Sequence, residues 1–183
     1  SINMKGAIFT GLAEFVEQEH SLTLWLEVVD SCTLASKGEY LTTEIYDDEE
    51  FFTLAQALSE KLGTPAPDLY RGFGVYFFPT LMGIATKYAS HVEDVFDFII
   101  IVDSVIHTEV QKADPLAYTP TLLYDRPDDN TLVVRYLSKR KMCHFAEGLI
   151  LGAAQHFGQE VELSQSQCLL KGDDHCLIRI QKR

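Results

Sequence analysis

No stretch of about 18 uncharged apolar residues occurs in this sequence, because Asp97 and Asp103 interrupt the longest candidate. A membrane-spanning helix is therefore not expected. The N-terminal "SINMKGAIF" also lacks the basic and apolar regions of a secretory leader. Both absences point to a cytosolic protein, with Met4 as its natural start and residues 1–3 as additions ahead of the domain. Basic residues are scarce as well: 15 Lys and Arg stand against 27 Asp and Glu, for a formal charge of −12. A surface of that sign repels phosphate backbones and anionic lipid, so neither nucleic acid nor a membrane is expected as the main partner. A basic patch on another protein would suit it. Cysteine is sparse, with only Cys32, Cys143, Cys168 and Cys176. In a reducing compartment these are expected as thiols or metal ligands rather than structural disulfides. No internal repeat and no low-complexity tract is found.

What is present is an ordinary globular balance, 46% hydrophobic and 23% charged over 183 residues, enough for one good core. Ile8, Leu12, Phe15 and Val16 recur at the spacing of an amphipathic helix. "DDEEFFTLAQALSEKLG" opens on acids and closes on Gly63, which suits the helix dipole and its caps. "TPAPDLYRGFGVYFF" predicts a helix with proline in its first turn that stops before Pro79. "HVEDVFDFIIIVDSVIHTEVQKA" predicts a long one. Beyond Pro115 the texture changes. "TLLYDRPDDNTLVVRYLS" holds two β-rich runs around the turn Pro127, Asp128, Asp129, Asn130, and "QEVELSQSQCLLKGDDHCLIRIQKR" reads as a second hairpin around Gly172. Between them "KMCHFAEGLILGAAQHFG" has helical spacing with small residues on one side. The expected class is α+β: one domain over 4–183, with a helical lobe at about 4–63 packed on a lobe at about 64–183 that carries an antiparallel sheet and helices.

His107 stands out in the most apolar helical run, on a face shared with Phe96, Ile99, Ile100, Asp103, Ile106 and Val110. A satisfied core histidine is one reading. A catalytic base is another, without a Ser or Cys nucleophile motif to accompany it. The third is an axial ligand to haem iron, for which an apolar pocket and one neutral imidazole are the requirements. About thirty residues on, "YLSKR" places Tyr136, Ser138 and Arg140 at spacing of two, so on an extended strand they project from one face. Two hydroxyls and a guanidinium form a dense donor set for carboxylates, and haem carries two. A solvated strand face is the plain alternative.

"MKGAIF", "VIHTEV", Pro120 thirteen residues after the histidine, "YLSKR" and "FAEGLILGAAQHF" together resemble the haem nitric oxide/oxygen binding (H-NOX) domain, related to the sensor domain of soluble guanylate cyclase. The resemblance runs in order across nearly the whole chain from Met4. It implies haem b between the two lobes, with His107 as proximal iron ligand and Tyr136, Ser138 and Arg140 as the clamp on the propionates. It implies Pro120 pressing on the porphyrin from one side and Ile8 from the other; without it, Pro120 reads as a strand-start proline and Ile8 as core. It further implies that nitric oxide weakens the iron bond to His107, relaxes the haem and frees the histidine helix, and that a distal tyrosine would stabilise dioxygen. Nine residues after Tyr136 the matching position is Phe145, which cannot donate a hydrogen bond. The expected function is therefore a sensor, not an enzyme, that binds nitric oxide and carbon monoxide at ferrous iron and excludes dioxygen. Because no output sequence remains in the chain, the expected partner is a separate histidine kinase or cyclic-di-GMP enzyme.

Cys143, Cys168 and Cys176 all fall in the C-terminal lobe, and three thiolates with a fourth ligand would make a closed zinc site. Some bacterial members of the resembled family carry zinc in this region. His144, His175 and Gln165 are the candidates for the fourth place, Gln being a poor ligand, and three buried free thiols are the alternative. A thiolate-rich site would add a redox input. Cys32 is assigned no role. The runner-up function is a haem-free small-molecule or thiol redox module, because "EGLILGAAQHFG" with "CLLKGDDHC" also resembles the 4-vinyl-reductase-like domains. A haem enzyme ranks third, since Ile8, Leu12 and Phe15 offer no polar acid–base pair.

Overall fold

The chain pairs before it coils: strand β1 (Asn3–Lys5) lies antiparallel to β2 (Ile45–Asp47), with Met4 opposite Tyr46. The computed structural model describes residues 2–183. Ile2 and Asn3 are built into the domain, since the Ile2 carbonyl accepts the Asp48 N–H at 2.8 Å. Helix α1 (Gly6–Glu19) buries Phe9, Leu12, Phe15 and Val16. Helix α2 (Leu22–Asp30) is capped by the Ser21 hydroxyl, which accepts the Leu24 N–H at 3.0 Å. Neither it nor the β1–β2 ribbon is anticipated from sequence, because three-residue strands are too short to show alternation. Helix α3 (Asp48–Leu62) takes Asp47 as N-cap and ends at Gly63, whose φ of 65° is the left-handed conformation that glycine adopts without cost.

Helix α4 (Ala66–Ala89) does not stop at Pro79, as expected, but runs through it for 24 residues. Proline removes one backbone bond and presses on the preceding turn. What holds the helix together is packing on both sides of that point: Leu69, Phe73 and Phe77 belong to one core, and Phe78, Ala85 and Ala89 to another. The expected long histidine helix also differs. It comprises α5 (Val95–Ile101), a six-residue π-helical segment (Val102–His107) and α6 (Thr108–Ala113). The wider turn is rare and concentrates at functional sites.

A four-stranded antiparallel sheet follows in the order β3 (Thr121–Asp128), β4 (Thr131–Leu137), β6 (Cys176–Lys182), β5 (Val161–Gln167), with α7 (Cys143–His156) connecting its two hairpins. The fold is thus α+β, and both expected hairpins form. Its inner face carries Leu132, Val134, Ile178 and Ile180, all at 1% exposure or less. One core lies under this sheet; the other joins α1 to α3 with the first half of α4 and with Met142 at the start of α7. Among the described residues no helix is long and apolar enough to cross a membrane.

Asp94 fixes the start of α5. Its carboxylate accepts from the Phe96 N–H at 2.8 Å, from Gln159 at 2.9 Å and from Lys182 at 2.5 Å. Burial pushes this carboxyl up, but those donors outweigh it and hold the pKa at about 2, against an ordinary value of 3.8. A depressed folded-state pKa gives stability that is present above the unfolded value and lost as pH falls through the folded one. Asp94→Asn should therefore lower Tm at neutral pH, and the difference from the parent should shrink between about pH 4 and pH 2. Thermal melts across that range would measure it, and a constant difference would refute the assignment.

Candidate functional site

His107 ends the π-helical segment with its side chain 17% exposed. Its Nδ1 lies 3.3 Å from Asp103 Oδ1, and the Pro120 backbone makes a second polar contact with the ring. Burial lowers its pKa, with Asp103 and Pro120 opposing. The imidazole is thereby kept neutral and held in one orientation, the state in which it ligates a metal. Around it, none of Val102–His107 is buried although Val102, Val105 and Ile106 are apolar, and Leu116 is 75% exposed. An apolar wall of this kind marks a ligand face rather than a finished core.

The expected three-residue row on one strand is not what forms. β4 ends at Leu137, and Ser138–Lys141 turns back, with the Ser138 carbonyl accepting the Lys141 N–H at 3.2 Å and Lys141 at φ 53°. The Ser138 hydroxyl stabilises the turn by accepting the Arg140 N–H at 3.2 Å. Tyr136 is buried in the sheet-lobe core, with burial raising its pKa and the Ser138 side chain beside it. Arg140 reaches across the molecule: Nη1 donates to the Tyr118 carbonyl at 3.1 Å, Nη2 to the Asn3 carbonyl, and the guanidinium covers the Tyr118 ring. Its Nε is buried without a hydrogen bond, and Asp48 Oδ2 at 3.8 Å is too far to supply one. A buried guanidinium short of acceptors fits a ligand carboxylate. Asn3, Asp48 and Tyr118 were invisible in the sequence because their role depends on contacts across long separations. Asp103 was legible as the i−4 neighbour of His107.

Ile8 and Phe145 both fringe the N-terminal core, together with Tyr76 and Leu81, while Ile101, Val102, Ile106 and Leu122 fringe the other. Phe145 stacks on Phe73 at 5.3 Å between ring centroids. Tyr76 packs on Phe15 at 5.4 Å between ring centroids, beside the far half of α1 from Ile8, and burial with the charges of Glu14, Glu19 and Glu17 raises its pKa. Pro120 is half-buried immediately before β3. A separate cleft at the β5 edge, lined by Arg71, Glu147, Leu151, Arg179 and Arg183, is polar and includes none of these residues.

The three C-terminal cysteines converge. Cys168 Sγ lies 3.5 Å from Cys143 Sγ and 3.9 Å from Cys176 Sγ, and all three are buried. Tetrahedral zinc with metal–sulphur bonds near 2.3 Å requires sulphurs about 3.8 Å apart, so the triad fits that ion. Burial raises the Cys143 and Cys176 thiols. The Leu169 N–H donates to Cys176 Sγ at 3.2 Å, an outer contact of the kind that steadies a ligating sulphur. Among the described residues neither His144 nor His175 joins the cluster. His144 Nδ1 is turned to Glu147 Oε1 at 2.5 Å and His175 Nδ1 to Asp174 Oδ1 at 2.5 Å.

Comparison with known proteins places this geometry in context. A family profile described as Haem-NO-binding matches residues 5–165. The crystal structure of an H-NOX protein from S. oneidensis in the Fe(II)NO state is similar at a TM-score of 0.90, with 30% identity over 98% of this chain and 99% of that one. The Fe(II) unliganded H-NOX protein from K. algicida gives a TM-score of 0.90 at 27% identity, covering 98% and 97%. The IWP-051-bound H-NOX from Shewanella woodyi in the Fe(II)CO state gives 0.82 at 34% identity, covering 98% and 95%.

Proposed function

The chain belongs to the Haem-NO-binding family, and from that premise we propose that it is a nitric oxide and carbon monoxide sensor that excludes dioxygen and signals to a separate protein. The observation that carries the site assignment is His107, a neutral, oriented imidazole on an open apolar wall. Haem b, when bound, supplies the ferrous iron at which the gas binds. His107 would hold that iron, Arg140, Ser138 and Tyr136 would hold the propionates, and Pro120 and Ile8 would press on the macrocycle from opposite sides. Phe145 would leave the distal side without a donor, which favours the less polar adducts over dioxygen.

The moving part is the His107 segment. A π-helical turn is a marginal structure, so a weakened hold on His107 lets it settle toward α-helix and carry α6 with it. Lys5 Nζ and Asp114 Oδ2, 2.7 Å apart, tie the end of α6 to β1, and Arg140 ties Asn3 and Asp48 to the Tyr118 loop. Movement of the helix is thereby passed to the N-terminal half. The thiol triad would hold zinc as a structural and oxidisable centre. The acidic surface suits a histidine kinase or cyclic-di-GMP enzyme in the cytosol, and the domain itself carries out no reaction.

Visible spectra of the ferrous protein unliganded, in air and with nitric oxide test the reading. A five-coordinate high-spin haem that ignores air and converts with nitric oxide is expected. A chain that takes up no haem would return His107 to the core and favour the haem-free binding module. Phe145→Tyr should make the ferrous protein form a dioxygen complex in air; an unchanged spectrum would mean that Phe145 does not govern ligand choice.

A further inference from the structure

Gln165 is the one side chain whose donor and acceptor atoms are both buried without a hydrogen-bond partner among the described residues. A carboxamide stranded in this way is strongly unfavourable unless something satisfies it. Its place in the sheet shows what that could be. On β5, Val161, Leu163 and Gln165 alternate toward the core, and the ladder sets Leu163 against Ile180 and Gln165 against Ile178. Ile178, Ile180 and Cys176 share the buried face of β6, so Cys176 is the diagonal neighbour of Gln165, within reach of a long side chain. Immediately afterwards β5 bulges: Gln165 pairs with Ile178 but Gln167 with Leu177, leaving Ser166 unpaired. Bulges re-aim side chains beside functional sites, and Cys168 follows this one.

The two histidines next to ligand cysteines are committed elsewhere. His144 contacts Glu147 and Arg71 on the α4 side of α7. His175 precedes the strand residue Cys176, whose side chain points inward, and pairs with Asp174. The cluster therefore offers three sulphurs and no imidazole or carboxylate, with a single unpartnered amide beside it.

We infer that Gln165 Oε1 is the fourth ligand of the thiolate centre, which makes it a three-sulphur, one-oxygen site with an exchangeable fourth position. The inference rests on the reading of the triad as a zinc centre. Zinc binding displaces one proton from each thiol, and the three thiolates with a neutral amide leave a net charge of −1 on the centre. A neutral amide oxygen is a weaker partner for zinc than imidazole. External small ligands would displace it more readily than the thiolates.

Zinc K-edge X-ray absorption on the full haem-loaded chain is the test, with zinc content measured alongside. Three sulphurs near 2.3 Å and one light atom near 2.0–2.2 Å, without the outer-shell scattering of an imidazole ring, are expected. Gln165→His should add that imidazole signature and tighten zinc in competition with a chromophoric chelator, whereas Gln165→Ala should weaken it roughly tenfold, the scale of changes around a metal centre. Imidazole scattering in the parent protein, a fourth sulphur, or equal zinc affinity in the parent and Gln165→Ala would overturn the assignment. Gln165→Leu, which keeps the bulk but cannot ligate, serves where alanine fails to fold, and a zinc affinity unchanged by it would count the same way. A chain with intact thiols and no zinc would instead overturn the metal centre itself.

Discussion

Replacing His107 with glycine should abolish stable haem retention in the purified chain, and free imidazole should restore it. The substitution removes a half-buried ring held by Asp103 Oδ1 at 3.3 Å and by the Pro120 backbone. It leaves a gap shaped for an imidazole next to a carboxylate that can accept its N–H. The cost to the helix itself is about 1 kcal/mol, that of any internal glycine, too little to unfold a domain of this size. Loss of haem without loss of fold would therefore report on ligation. Circular dichroism separates the two, and the visible spectrum with and without imidazole reads the rescue. A variant that keeps the parent's haem spectrum without imidazole would place the proximal ligand elsewhere. Asp103→Ala provides the graded companion: it should leave haem bound but shift the coordination spectrum, because the ring loses its orienting partner.

What sequence could show of this site follows from distance along the chain. Periodicity exposed α1, the acidic start and closing glycine exposed α3, turn chemistry exposed both hairpins, and the apolar run around His107 was plain because it is local. The row Tyr136, Ser138, Arg140 was legible as a donor set but not as a geometry. Alternation assumes that the strand continues, whereas the Ser138 hydroxyl closes a turn and sends Arg140 toward Asn3 and Asp48. Pro79 misled for the opposite reason: its local rule is sound, but α4 is held by two cores that no local rule contains. The π-helical segment has no sequence signal, since the same residues suit an α-helix. Gln165 was visible as a residue beside cysteines, yet its weight comes from a buried and unpartnered amide, which only the folded chain reveals.

Gly148→Ala should strongly destabilise the crossing of α4 and α7. A Cβ at that position would stand 2.1 Å from the Arg71 carbonyl oxygen and 2.8 Å from Gly74 Cα. Both obstacles are backbone, so neither can rotate away, and the two helices must part. Overpacking of a tight core costs 1–3 kcal/mol and occasionally more; here about 3 kcal/mol is expected, a fall in Tm of roughly 6–12 °C for a domain of this size. Gly83→Ala, also within α4, has nothing within 4 Å of the added carbon. It should gain up to about 1 kcal/mol from helix propensity. The contrast removes composition as an explanation. The crossing matters beyond stability because α4 and α7 contribute to both cores, α4 through Phe73 and Phe78, α7 through Phe145 and Ile150. Their separation thus sets how the helical half sits against the sheet half, and with it the spacing of Ile8 and Phe145 from His107. If the haem is held between those halves, Gly148→Ala should change the carbon monoxide and nitric oxide spectra as well as Tm. A lower Tm with spectra identical to the parent's would show that the crossing supports the fold without setting the pocket.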